Sequence, residues 1–158
     1  MWKKIKPYLV SILIALGVGG LAAFLTRGSM DIYNSVNTPP FSPPSWLFPV
    51  VWTLLYILMG ISSAIIYQKG KEEGADVKRA LDVYLLQLAV NFIWSIVFFN
   101  MRLFFLAFLW LLFLWVLIIV MIKRFWKIDS AAAKLQIPYL LWVSFAGYLN
   151  FMIWILNR

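Results

Sequence analysis

The sequence predicts an all-α membrane protein, a bundle of five transmembrane helices forming a single domain over residues 1–158. Three observations predict it. First, 64% of the residues are hydrophobic and only 13% are charged, whereas a soluble domain is about half apolar and a quarter charged. Second, the apolar residues gather into five runs, each near the ~20 residues that cross ~30 Å of hydrocarbon. Third, the basic residues collect between alternate runs rather than spreading evenly.

The spans fall at residues 7–26, 47–68, 81–100, 103–122 and 132–156. Span one follows Lys3, Lys4 and Lys6. Its apolar core continues at full span length with no small-residue cleavage site behind it, so it reads as a membrane helix rather than a leader. Arg27–Trp46 is the long loop of the chain, and its second half carries Pro39-Pro40-Phe41-Ser42-Pro43-Pro44. Paired prolines fix φ and hold an extended backbone, which makes the loop a stiff cover. Ser45 is the expected N-cap of span two, with Pro49 in its first turn, where no intrahelical N–H is missed. Lys69–Arg79, charged and containing Gly70 and Gly74, reads as a solvated turn. Asn100-Met101-Arg102 reads as a tight hairpin that sets spans three and four antiparallel. Asp129-Ser130 before three alanines is an N-cap signature for span five.

The net charge of +8 does not indicate nucleic acid. Eleven of the fourteen Lys and Arg residues lie before span one, between spans two and three, or between spans four and five. Only Arg27, Arg102 and Arg158 fall at the other ends. That bias is the positive-inside rule. It places the N-terminus in the cytoplasm, and the proline-rich loop and C-terminus outside. A bacterial cytoplasmic membrane is the expected location, with anionic lipid the partner of the basic ends.

The missing residue types exclude most chemistry. The chain has no His and no Cys, and its acids are Asp31, Glu72, Glu73, Asp76, Asp82 and Asp129. None is mid-span; Asp82 stands at the mouth of span three. A His/Cys metal site cannot form and no acidic cluster offers an oxygen site. No Ser-His-Asp or Cys-His nucleophile exists. Proton-coupled transport normally uses an ionisable group inside the membrane, and inverted transporter repeats need matching halves. The expectation is no required cofactor and no metal.

Aromatic residues are abundant: nine Trp, seven Tyr and thirteen Phe. An interfacial belt accounts for Trp2, Trp46, Trp126 and Trp154 near span ends. Trp94, Trp110, Trp115 and Trp142 lie within spans, and Trp52 is intermediate. Trp110 and Trp115 read as packing. On span five, Pro138, Trp142, Phe145, Ala146, Leu149 and Asn150 make one helical stripe; on span three, Asn91, Trp94, Ser95, Phe98 and Phe99 make another. Asn91 and Asn150 need partners at membrane depth. They serve as interhelical hydrogen bonds or as polar anchors for a ligand. Gly17 and Gly20 on span one permit close helix approach.

Three separated segments carry a resemblance. They are Pro40-Phe41-Ser42-Pro43-Pro44-Ser45-Trp46 running on to Trp52-Thr53 and Gly60; Asn91-Phe92-Ile93-Trp94-Ser95; and Pro138-Tyr139-Leu140-Leu141-Trp142 running on to Ala146 and Asn150. In this order and over the whole chain they resemble the TspO/MBR family, the translocator or tryptophan-rich sensory proteins. The resemblance implies a homodimer with a cavity under the first loop. It implies porphyrins such as protoporphyrin IX, or other hydrophobic small molecules, as ligands, so that a tetrapyrrole enters as ligand and not as cofactor. By motif position it assigns Tyr33, Pro43, Trp52, Asn91, Ser95, Phe98, Trp142 and Ala146 to ligand binding. Trp52 and Trp142 stand at positions tied to light- and oxygen-dependent porphyrin breakdown and are the catalytic candidates if the protein is an enzyme. Ile32-Tyr33 stands where the family often has Trp-Tyr, and Phe41 where it often has Trp. The sterol motif of animal members wants a Tyr where Phe151 stands.

A receptor or sensor, a transporter and a degrading enzyme are the three functions compatible with this reading. The charge distribution generates the first test. In intact cells, Ser42→Cys should label with a membrane-impermeant thiol reagent, and Lys71→Cys only after permeabilisation; the opposite pattern would invert the assigned orientation.

Overall fold

The structure is a computed structural model that describes residues 1–29 and 32–158; Asp31 lies outside the described residues. Five helical segments are long and apolar enough to cross a membrane. They are built from α1 (Trp2–Thr26), α3 (Leu47–Glu73), α4 (Lys78–Ser95), α5 (Phe104–Ile128) and the pair α6 (Ser130–Leu135) and α7 (Ile137–Leu156). A 3-10 turn at Arg27–Ser29 and the single-turn helix α2 (Ile32–Ser35) sit in the long loop.

Helix ends differ from the sequence expectation where local chemistry overrides the apolar pattern. The turn expected over Lys69–Arg79 is short, because α3 runs on through Gly70 to Glu73, where Lys71, Glu72 and Glu73 are good helix formers and Lys69 pairs with Glu73 at 3.2 Å. Gly74 ends it at φ 68°, in the left-handed region that glycine enters freely. Ser45 is not the cap of α3. Trp46 holds that place without a side-chain cap, and the Leu47 and Phe48 N–H groups reach the Pro44 and Ser45 carbonyls instead. Asp129 does cap as expected, its carboxylate accepting from the Ala132 N–H at 3.0 Å. Span five is broken at Gln136. Pro138 has no N–H to offer the Lys134 carbonyl, so α6 ends and α7 restarts with proline in its first turn.

The end of span three carries an unexpected turn. Ile96–Asn100 is a π-helical turn, with the Met101 N–H on the Ile96 carbonyl at 3.1 Å. Such turns add one residue to a helical repeat and re-aim the side chains that follow. Arg102 then takes φ 54° in the tight link to α5.

The helices pack as a ring. α1 lies along α3, α4 along α5, and α5 along α7, while α6 tucks against α3 and α5. Ser62 of α3 donates to the Ala132 carbonyl at 2.7 Å, and Ala132 and Ala133 are wholly buried there. The backbones of α3 and α7 stand apart, and the two helices meet through aromatic side chains, Trp52 on Tyr139 and Phe48 on Trp142. Basic ends converge at one end of the ring: the Gln68 side chain donates to the Lys4 carbonyl, and Arg124 to the Arg79 carbonyl at 3.0 Å.

The close helix approach expected of Gly17 and Gly20 is made elsewhere. Both have open space where a Cβ would stand. Gly19 and Gly60 make the α1–α3 contact instead. A Cβ on Gly60 would lie 2.5 Å from the Ile12 Cα, and one on Gly19 would collide with the Tyr56 ring. Backbone cannot yield as a flexible side chain does. Gly60→Ala should therefore destabilise the bundle by about 1–3 kcal/mol, while Gly17→Ala should be neutral; equal thermal midpoints for the two variants in detergent would refute this packing.

Candidate functional site

A polar layer tilts the ring's interior into shape. Asn91 of α4 is buried and donates to the Tyr56 hydroxyl of α3 at 3.3 Å and to the Tyr139 hydroxyl of α7 at 3.1 Å. Tyr139 in turn donates to Gln87 Oε1 at 2.6 Å. One turn outward, Asn150 of α7 accepts from Trp94 Nε1 at 3.1 Å and donates to the Phe104 carbonyl of α5 at 2.8 Å. In hydrocarbon these groups have no water to bond, so the pairs fix which faces of α3, α4, α5 and α7 meet.

Above this layer the helices enclose a cavity of about 150 Å³. Trp52, Tyr56, Trp94 and Phe98 form its aromatic floor and walls. Trp94 and Phe98 stack with centroids 5.4 Å apart, and Trp52 stands 6.5 Å from Trp94 and 6.2 Å from Tyr139. Because the π turn shifts the helical repeat, both Phe98 and its neighbour Phe99 line the space. α1 contributes a face of small residues, Gly19, Ala22, Ala23 and Thr26. α7 contributes Trp142, Ala146, Leu149 and Ile153. The Thr26 and Ser95 hydroxyls reach back to their own helices' carbonyls at 2.8 and 3.5 Å. Trp142 Nε1 is buried and makes no hydrogen bond among the described residues.

The proline-rich loop lies at the cavity's end opposite the basic helix ends, where Tyr33 and Ser45 join the lining. Tyr33 packs edge-on to Phe48 at 4.9 Å and donates its hydroxyl to the Pro43 carbonyl. Ser42 donates to the Pro39 carbonyl at 2.6 Å, and Tyr148 of α7 to the Pro40 carbonyl at 3.0 Å. Asn37 and Asn157 clasp each other reciprocally: the Asn37 N–H donates to Asn157 Oδ1 at 2.9 Å, and Asn157 Nδ2 to the Asn37 carbonyl at 2.8 Å. Phe41 points away, 89% exposed at φ 68°.

Of the residues assigned by motif, Tyr33, Trp52, Ser95, Phe98, Trp142 and Ala146 line the cavity. Pro43 and Asn91 do not. Pro43 holds Tyr33 through its carbonyl, and Asn91 lies in the polar layer beneath. Sequence reasoning left out Tyr56, Phe48 and the small face of α1. The signal for α1 was present as small residues at helical spacing, Gly19, Ala22, Ala23 and Thr26, but Gly17 and Gly20 masked it. Trp110 and Trp115 lie outside, their indole N–H groups on the Val90 carbonyl at 2.8 Å and Ser144 Oγ at 2.9 Å.

The site presents aromatic faces around a mostly apolar space. It has no nucleophile, acid–base pair or metal-ligand set of ordinary kind in its lining. Comparison with known proteins agrees with this architecture. The profile of the TspO/MBR family matches residues 10–155. The chain is 37% identical to a tryptophan-rich protein TspO of Archaeoglobus fulgidus, over 98% of this chain and 99% of the relative. It is 34% identical to a tryptophan-rich protein TspO of Chlorobaculum tepidum, over 94% and 92%. It is 36% identical to the translocator protein of Bos taurus, over 91% and 85%. With three motifs, five membrane-crossing segments and near-complete coverage in agreement, the chain belongs to the TspO/MBR family.

Proposed function

We propose that the protein is an integral membrane receptor that binds porphyrins, or flat apolar molecules like them, in the cavity beneath the first loop. The observation that carries this reading is the aromatic box of Trp52, Trp94, Phe98 and Trp142 around a space almost without free polar groups. Indole and phenyl faces suit a planar π system, and a few placed donors set its orientation. Trp142 Nε1 is the natural donor to an acceptor on the ligand. In this reading the protein sits in a bacterial cytoplasmic membrane as a homodimer, N-terminus inside and loop outside.

A second reading has support from placement. Trp52 and Trp142 line the cavity together with Trp94, so a bound porphyrin would contact indoles, the most oxidisable side chains available. Light- and oxygen-driven breakdown of the ligand would use them.

One preparation tests both. Purified protein is titrated with protoporphyrin IX in the dark by fluorescence, then followed by absorbance under light. Ala146 is one turn from Trp142, and Ala146→Leu should weaken binding by about 1–3 kcal/mol through overpacking. Unchanged affinity in that variant would move the ligand out of this cavity. Trp142→Phe should keep affinity within about 1 kcal/mol yet slow any light-driven bleaching. Bleaching no faster than that of free porphyrin in detergent would leave the receptor reading alone.

A further inference from the structure

The cavity is too small for the ligand class proposed for it. At about 150 Å³ it falls below the ~300–1,000 Å³ of pockets that hold drug-sized molecules, so one wall must move. The proline-rich loop is tied to α7 and its C-terminal end by the Tyr148–Pro40 and reciprocal Asn37–Asn157 hydrogen bonds. Lifting it breaks all of them. The wall between α3 and α7 is different. The backbones of these helices are bridged at one end through α6, by Ser62 and Ala132, and stand apart elsewhere, meeting through the Trp52–Tyr139 and Phe48–Trp142 ring contacts. Between them runs a lipid-facing crevice of about 440 Å³, lined by Leu54, Leu58, Leu141 and Phe145. Its inner wall is Trp142, which also lines the cavity.

Trp142 is therefore the partition between the two spaces. Its N–H makes no hydrogen bond, and its ring is held by edge and tilted contacts to Phe48 at 5.8 Å and Phe145 at 5.6 Å. Turning this side chain breaks no hydrogen bond and joins cavity to crevice. Leu54 and Leu141, at 57% and 65% exposure, lead from the bilayer to it.

We infer that the cavity loads sideways, from the hydrocarbon through the α3–α7 crevice, with the Trp142 indole as the gate. The inference rests on the receptor reading above. A flat apolar ligand dissolved in the bilayer reaches the crevice without crossing water, and the proline-rich loop stays closed while it enters.

The test follows protoporphyrin IX fluorescence by stopped flow in the dark, with the whole protein in lipid nanodiscs. Leu54→Trp combined with Leu141→Trp fills the crevice from its exposed rim. Association and dissociation should both slow by about tenfold while Kd moves less than about twofold, the signature of a gate rather than a binding contact. Tyr148→Phe combined with Asn157→Ala loosens the loop and should leave both rates unchanged. Faster rates on loosening the loop, or wild-type rates in the filled-crevice variant, overturn lateral loading while leaving the cavity reading intact. No saturable binding by the wild-type protein overturns both.

Discussion

The bundle's register depends on one constraint: inside hydrocarbon, a polar side chain that does not bond its own helix is stabilised by a partner on a neighbouring one. Asn91, Tyr56, Tyr139 and Gln87 Oε1 bond one another across α3, α4 and α7, while the buried Gln87 Nε2 has no partner among the described residues. Trp94, Asn150 and the Phe104 carbonyl do so across α4, α5 and α7. Apolar packing alone gives little register in a membrane, because lipid tails are as apolar as leucine. These pairs supply it. Rotating α4 by one residue would strand Asn91 and remove the Trp94–Asn150 bond together. The aromatic cavity sits directly above this layer, so its shape is inherited from bonds that do not touch its contents.

Helix α1 answers to a different rule. The Thr26 hydroxyl bonds the Ala22 carbonyl of the same helix. The place of α1 is set by backbone proximity at Gly19 and Gly60. Close approach brings the small face of α1 against Tyr56, whose ring would clash with any side chain at position 19. The same small face leaves room beside the cavity. A larger residue at Ala22 or Ala23 would trade that space for packing.

Much of this was readable in the chain. Span number and order follow from apolar run length, and the two stripes on spans three and five named Trp94, Ser95, Phe98, Trp142 and Ala146 as one interior face. The Asp129 cap was legible because its hydrogen bond is local. What was not legible depends on events between segments. Asn91 could have pointed into the cavity or across to other helices; only the positions of Tyr56 and Tyr139 decide it. The π turn at Ile96–Asn100 has no composition signal, since Ile-Val-Phe-Phe-Asn suits an ordinary helix equally well. Gly60 rather than Gly20 made the close contact because the orientation of α1 is fixed by what it packs on. The break at Gln136 was foreshadowed by Pro138, whose apolar neighbours made span five look continuous.

The distribution of charge bears on how occupancy is controlled. All six acids of the chain lie outside the span centres, so no carboxylate at membrane depth is available to couple binding to a proton gradient. The pairs that involve acids, Lys69 with Glu73 and Asp129 and Lys78 with Asp82, belong to the basic end of the ring. In the receptor reading, filling of the cavity is an equilibrium between the site and its surroundings. For an apolar ligand those surroundings are the bilayer, where its concentration far exceeds that in water. A site fed from the bilayer competes with lipid rather than with water, and gains nothing from burying apolar surface as such. Discrimination must then come from shape and stacking. That is what a rigid box of indole and phenyl faces, held by a polar layer below and a pinned loop above, is built to provide.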